Sequence, residues 1–171
     1  MNPNRPLITM LLIFTFLFLS IPSHAQTSTN FAGKWIFDKT KSSADLLEST
    51  YEGTVVMQIT QNSATIAFSD TWSKPGEKDF KTSADTYYLD GKERVTKHDI
   101  GTERRTATWS QDRKVLTIAN RDTQKLKGVP QDFLVTDTYT LSDNGRILTI
   151  DRYSRNPVKG ESNAKKVYSR K

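Results

Sequence analysis

The sequence predicts an all-β protein, a single antiparallel up-and-down meander closed into a β-barrel of about 8–10 strands. Runs rich in Thr, Val, Ile and aromatic residues recur along most of the chain, and a tight-turn signal bounds each of them. Beyond residue 25, sustained helical periodicity is confined to Ser43–Ser49, where Leu46 and Leu47 follow Ser42 and Ser43 as candidate caps. One hairpin is also written twice: the string from Thr106-Ala107-Thr108-Trp109 to Thr117-Ile118 aligns without gaps on the string from Thr138-Tyr139-Thr140-Leu141 to Thr149-Ile150. A duplicated unit and two independent solutions to one local problem would both give that pattern.

The chain opens with Arg5 and one apolar run, Leu7 to Ile21, which ends at Ser23-His24-Ala25. The run is short for a membrane span, and small residues stand three and one before a cut after Ala25, so residues 1–25 read as a secretory signal peptide. The expected organisation is this peptide followed by one barrel domain over residues 26–171. The mature chain is expected in the periplasm or outside the cell, as a monomer without a transmembrane segment. The chain has no cysteine, and only His98 of its two histidines lies beyond the peptide. Disulfides, thiolate metal sites and two-histidine sites are therefore excluded, and neither metal nor cofactor is expected.

The formal net charge is +6. Residues 26–145 carry 16 Lys+Arg against 17 Asp+Glu, whereas residues 146–171 carry 8 Lys+Arg against Asp151 and Glu161. The positive charge is thus a C-terminal feature. With few aromatics interleaved, it reads as a solvated basic edge that resists pairing with other sheets, not as a nucleic-acid surface.

Turn signals follow in order at Asn62-Ser63, Lys74-Pro75-Gly76, Asp90-Gly91, Asp112-Arg113 and Asn144-Gly145. Longer polar breaks at 122–131 and 156–163 suit loops at a barrel rim. A two-residue turn fixes which residues face each other, and side chains alternate along a strand. About Asn144-Gly145, Leu141 faces Leu148, Tyr139 faces Ile150 and Asp137 faces Arg152. About Asp112-Arg113, Trp109 faces Leu116, Ala107 faces Ile118 and Arg105 faces Asn120. About Asn62-Ser63, Ile59 faces Ile66, Met57 faces Phe68 and Val55 faces Asp70. Each hairpin has one apolar face that becomes polar away from its turn, while the other face carries Thr106, Thr108, Thr117, Thr138, Thr140, Thr149 and Asp151.

Phe31-Ala32-Gly33-Lys34-Trp35 resembles the F-x-G-x-W opening of lipocalins and related calycins. That resemblance implies that Gly33 allows close backbone approach and that Trp35 plugs the closed end of the barrel. The longer string Phe31 to Ser42, the 141–150 hairpin and the terminal Val167-Tyr168-Ser169-Arg170 are similar to exported bacterial lipocalin-like proteins of unknown function. Thr136-Asp137-Thr138-Tyr139 has one residue more than the lipocalin T-D-Y motif. Lys166-Val167-Tyr168 is similar to the R-x-Y carboxylate clamp of intracellular fatty-acid-binding proteins, with Lys in place of Arg.

Catalysis is not expected. The chain contains no G-x-S-x-G, H-E-x-x-H, G-x-x-x-x-G-K-[ST] or G-x-G-x-x-G, and Asp99, as the neighbour of His98 on a strand, points away from it. What remains is a charged patch on the apolar face, where Arg105 and Asp137 hold equivalent places in the two repeats and Arg152 faces Asp137. Charges there must be paired or wetted. In one reading Asp137 and Arg152 form an ordinary cross-strand pair at the barrel mouth. In the other, Asp137 compensates one arginine and leaves the second for the anionic head of an apolar ligand, with Trp109, Tyr139, Met57 and Phe68 around its tail. Lys166 and Tyr168 form an alternative seat that the resemblance implies. The expected function is an exported lipocalin-like binding protein for a small hydrophobic or amphipathic molecule, an acidic one included. The alternative is a ligand-free structural or interaction module of the cell envelope.

Overall fold

A computed structural model describes residues 27–82, 84–126 and 128–171; the expected signal peptide, residues 1–25, lies outside the described residues. The strands are β1 (Gly33–Phe37), β2 (Thr54–Gln61), β3 (Thr65–Ser73), β4 (Phe80–Lys81), β5 (Asp85–Tyr88), β6 (Arg94–His98), β7 (Gly101–Trp109), β8 (Leu116–Leu126), β9 (Val129–Ser142), β10 (Ile147–Asn156) and β11 (Gly160–Arg170). One α-helical turn, α1 (Leu47–Thr50), lies between β1 and β2, and a 3-10 turn at Asp143–Gly145 joins β9 to β10. The sheet order is β4-β3-β2-β1-β11-β10-β9-β8-β7-β6, with β5 also on β3. Every pairing is antiparallel, and β1 pairs with β11, which joins the two ends of the chain.

This is the all-β meander barrel the sequence predicts. Because β2 occupies one edge of β3 along its whole length, β4 and β5 share the other edge in line, and the two short strands fill one strand position. Among the described residues no backbone ladder joins that position to β6. Side chains bridge the seam instead: Arg105 Nη1 lies 3.3 Å from Asp85 Oδ1, and Asn120 Nδ2 donates to the Tyr87 hydroxyl at 3.2 Å.

Two of the three predicted hairpin registers are observed residue for residue, with Leu148 opposite Leu141 and Arg152 opposite Asp137, and with Trp109 opposite Leu116. The third slips by two: Ile59 lies opposite Phe68, Met57 opposite Asp70 and Val55 opposite Trp72. The turn centres one residue later than expected because Asn62 Oδ1 accepts from the backbone N–H groups of Ala64 and Thr65, both at 2.8 Å, which makes Asn62 the start of the turn. A slip of two keeps every side chain on its expected face.

The expected polar loops are also shorter than the sequence suggests. β8 extends to Leu126 and β9 starts at Val129, and β10 and β11 take up much of 156–163. Their polar residues satisfy one another across the ribbon: Arg121 and Thr123 both hold Asp132, and the Ser154 and Ser162 hydroxyls lie 2.8 Å apart. Polarity there marks strands solvated on both faces, not loops.

The expected helix at 43–49 reduces to the single turn α1. Ser42 and Ser43 do not cap it, because β11 uses them. Ser43 Oγ accepts from Lys165 N at 2.8 Å, and Ser42 Oγ accepts from Val167 N at 2.9 Å. With Asp38 N donating to Val167 O, the chain beyond β1 follows the edge of β11 across one end of the barrel before α1.

The other end is closed. Phe31, Trp35, Ile59, Ile66, Leu116 and Leu148 are fully buried there, near the turns at 62–65, 110–115 and 143–146. Trp35 Nε1 donates to Phe31 O at 2.9 Å, so the indole is buried with its one donor satisfied. The Arg170 guanidinium lies 4.3 Å from the Trp35 ring centroid and donates to Ala32 O (3.0 Å) and Gly145 O (2.9 Å). Gly33 has φ +143°, and a Cβ there would lie 2.9 Å from Arg170 Nη1. The positive φ is what calls for glycine at this position, since any side chain would strain that backbone; the arginine, whose flexible end could shift, adds only a secondary crowding.

Candidate functional site: a polar-walled cavity beneath the α1 strap

Above the closed end the barrel holds a cavity of about 350 Å³, open on one side. Strand alternation builds its apolar wall from Met57 of β2, Phe68 of β3, Val135 and Tyr139 of β9, and Ile150 of β10. Its polar wall comes from the same faces further from the turns: Asp70, Asn120, Asp137, Arg152, Lys166 and Tyr168.

The charges are arranged in pairs. Arg152 grips Asp137 through two parallel bonds, Nε to Oδ1 at 2.7 Å and Nη2 to Oδ2 at 2.6 Å. Donating these hydrogen bonds to Asp137 raises the affinity of the guanidinium for its proton still further. Lys166 Nζ donates to Glu48 of α1, and both residues are buried. Burial pushes the Glu48 carboxyl up, but the charge and hydrogen bond of Lys166 outweigh it and hold the group below its ordinary value. That pair ties the strap to the last strand. Burial likewise lifts the hydroxyls of Tyr139 and Tyr168 well above the ordinary tyrosine range, so both remain protonated donors.

Asp70 differs from the other charges. Its Oδ1 is buried without a hydrogen-bond partner, while its backbone N–H donates to Thr82 Oγ1 at 2.7 Å. Burial raises its carboxyl above the ordinary range; Glu48 adds to the rise, and Lys166 and Arg152 oppose it.

Of the binding residues expected from the sequence, Met57, Phe68, Asp137, Tyr139, Arg152, Lys166 and Tyr168 converge on this cavity. Arg105 and Trp109 do not, which corrects two expectations. Trp109 lies at the closed end, stacked on Phe31 with ring centroids 5.9 Å apart, because it stands next to its turn and points into the plugged part of the barrel. Arg105 faces a second hollow of about 250 Å³ at the seam. Its guanidinium is not uncompensated: Nε lies 2.7 Å from Glu103 Oε1 as an ionic contact without hydrogen-bond alignment, and Asp85 lies on its other side. The parity that turned Arg105 inward also turns Glu103 inward, so this counter-charge was readable in the sequence. Asp70 was readable too, as an inward residue of the 62–63 hairpin. Glu48 was not, because it reaches the barrel from a segment with no strand register. His98 is exposed on β6, with Nε2 4.0 Å from Glu103 Oε2.

No family model matches the chain, and no curated protein matches it. Among solved structures it is similar to zebrafish ileal bile acid-binding protein complexed with cholic acid, at 16% identity and a TM-score of 0.47 over 82% of this chain and 98% of that one. Among the described residues no helix is long and apolar enough to cross a membrane, and no three His, Cys, Asp or Glu side chains are grouped to hold a metal ion.

Proposed function

We propose that this protein is an exported binding protein for a small amphipathic molecule, held in the barrel between its closed end and the α1 strap. The observation that carries this reading is the cavity itself: about 350 Å³, with apolar side chains on one wall and paired charges on the other. A barrel that only filled its own interior would bring those walls into contact, and the Arg152–Asp137 and Glu48–Lys166 pairs would then bound packed side chains. An apolar body against Met57, Phe68 and Ile150, with a polar end toward Lys166, Arg152 and Asp70, uses both walls. Export rests on Arg5, the apolar run and Ser23-His24-Ala25.

The test has two arms. Native mass spectrometry of protein purified from its own source should show a small molecule travelling with a chain that begins at Gln26; a mass retaining residues 1–25 in exported material rejects the cut. Displacement of a neutral, environment-sensitive dye by single-chain amphiphiles should be saturable, and Val135→Trp, which fills the cavity from β9, should abolish it while leaving the β-sheet spectrum unchanged. Equal binding by wild type and Val135→Trp would place the binding elsewhere. No saturable binding to any amphiphile would leave the envelope-module reading.

A further inference from the structure

The proposed binding of an amphipathic molecule leaves open what kind of polar end it carries, and the charges facing the cavity decide between classes. Two cations face it, Arg152 from β10 and Lys166 from β11, and each is already engaged by a carboxylate, Asp137 from β9 and Glu48 from α1. Asp85, from β5, is exposed and pairs with Arg105 at the seam. That leaves Asp70 of β3, with an unpartnered Oδ1 and a backbone N–H held by Thr82. With all of these groups ionised, three carboxylates stand against two cations around the cavity. We propose, on the reading that this cavity binds an amphipathic molecule, that the polar end of that molecule is a cationic amine paired with Asp70, not an acid.

The alternative is costly. An incoming carboxylate would have to draw Arg152 from Asp137 or Lys166 from Glu48, and either exchange leaves a buried carboxylate without its counter-charge. An ammonium group needs no such exchange. It supplies the missing positive charge and donors to the Asp70 carboxylate. Burial already disfavours ionisation of Asp70, so binding an ammonium would draw a proton off this carboxyl, and affinity should rise with pH until the amine itself loses its proton.

The experiment uses three probes of equal chain length, decylamine, decanol and decanoate, each below its micellar concentration. They compete with the neutral dye Nile red for the full mature chain at pH 7. Decylamine should bind about tenfold tighter than decanol, the scale of a hydrogen bond to a charged group, with decanoate weakest. Asp70→Asn keeps the shape of the side chain and should remove the advantage of the amine over decanol, with an unchanged β-sheet spectrum showing that the variant is folded. The proposal is overturned if decanoate binds as tightly as decylamine, or if Asp70→Asn retains the amine preference. Binding of decanol with no preference for the amine keeps the cavity and rejects the ammonium; failure of all three probes and of the dye rejects the cavity reading as well.

Discussion

Arg170, Gly33 and Trp35 form one mechanical unit at the closed end of the barrel. The guanidinium covers the indole and fastens two backbone carbonyls, and Gly33 beside it holds a positive φ that a side chain would strain. Trp35→Ala should therefore cost about 3–5 kcal/mol, as for a fully buried aromatic side chain, read from urea unfolding. Arg170→Lys, which keeps the charge but loses the fork, should cost about 1–2 kcal/mol by the same measurement. Asp70 has the opposite character. Its folded pKa is raised, so its contribution to stability is complete below the ordinary carboxylate range and is lost as pH rises through the raised value. Asp70→Asn never ionises, and its stability relative to wild type should grow across that window and then level off. A difference that does not change with pH would show that Asp70 ionises as freely in the barrel as in the unfolded chain.

Among the elements, the strap between β1 and β2 depends most on a single contact. α1 is one turn without a side-chain cap, too short to persist alone, so its place is set by Glu48 on Lys166 and by Ser42 and Ser43 on β11. Glu48→Ala leaves Lys166 buried without its counter-charge and should cost roughly 3–5 kcal/mol, whereas the double change Glu48→Met with Lys166→Met should recover most of that loss. Hydrogen exchange at residues 42–50 should quicken in the single variant more than anywhere in β8 to β10. A uniform increase would mean that the pair supports the whole barrel and not the strap.

For the molecule as a whole, the seam beside β5 is the weak line of an otherwise continuous sheet. β8 to β10 are ladder-bonded on both edges, but β5 and β6 each have one edge without a backbone partner among the described residues. Native-state exchange should therefore open β4, β5 and β6 first, well below the global unfolding free energy. Tyr87→Phe, which removes the Asn120 contact across the seam, should lower that local barrier by about 1 kcal/mol and leave global stability nearly unchanged. The cavity also borders on Tyr87 and Asp85, so it lies against the same seam.

Sheet parity was local information. A strand shows its two faces by alternation, and a turn of Asn144-Gly145 or Asp112-Arg113 fixes the partner of every residue near it, so the sequence alone determined the barrel class, the inward placement of Trp109, Tyr139, Asp137 and Arg152, and two registers out of three. The third needed the Asn62 side chain, whose choice of backbone donors is a matter of folded geometry and moved the turn by one residue. Which inward charge meets which was likewise decided only by the folded sheet. Parity says that Arg105 and Arg152 share a face, but the curvature of the barrel carries one to the seam beside Asp85 and Glu103 and the other to the cavity beside Asp137. The pairing of Glu48 with Lys166 joins residues 118 positions apart and follows no repeat. A contact between a strand and an irregular strap has no period to read, and the same holds for Asp70, whose lack of a partner appears only once every neighbour has been placed.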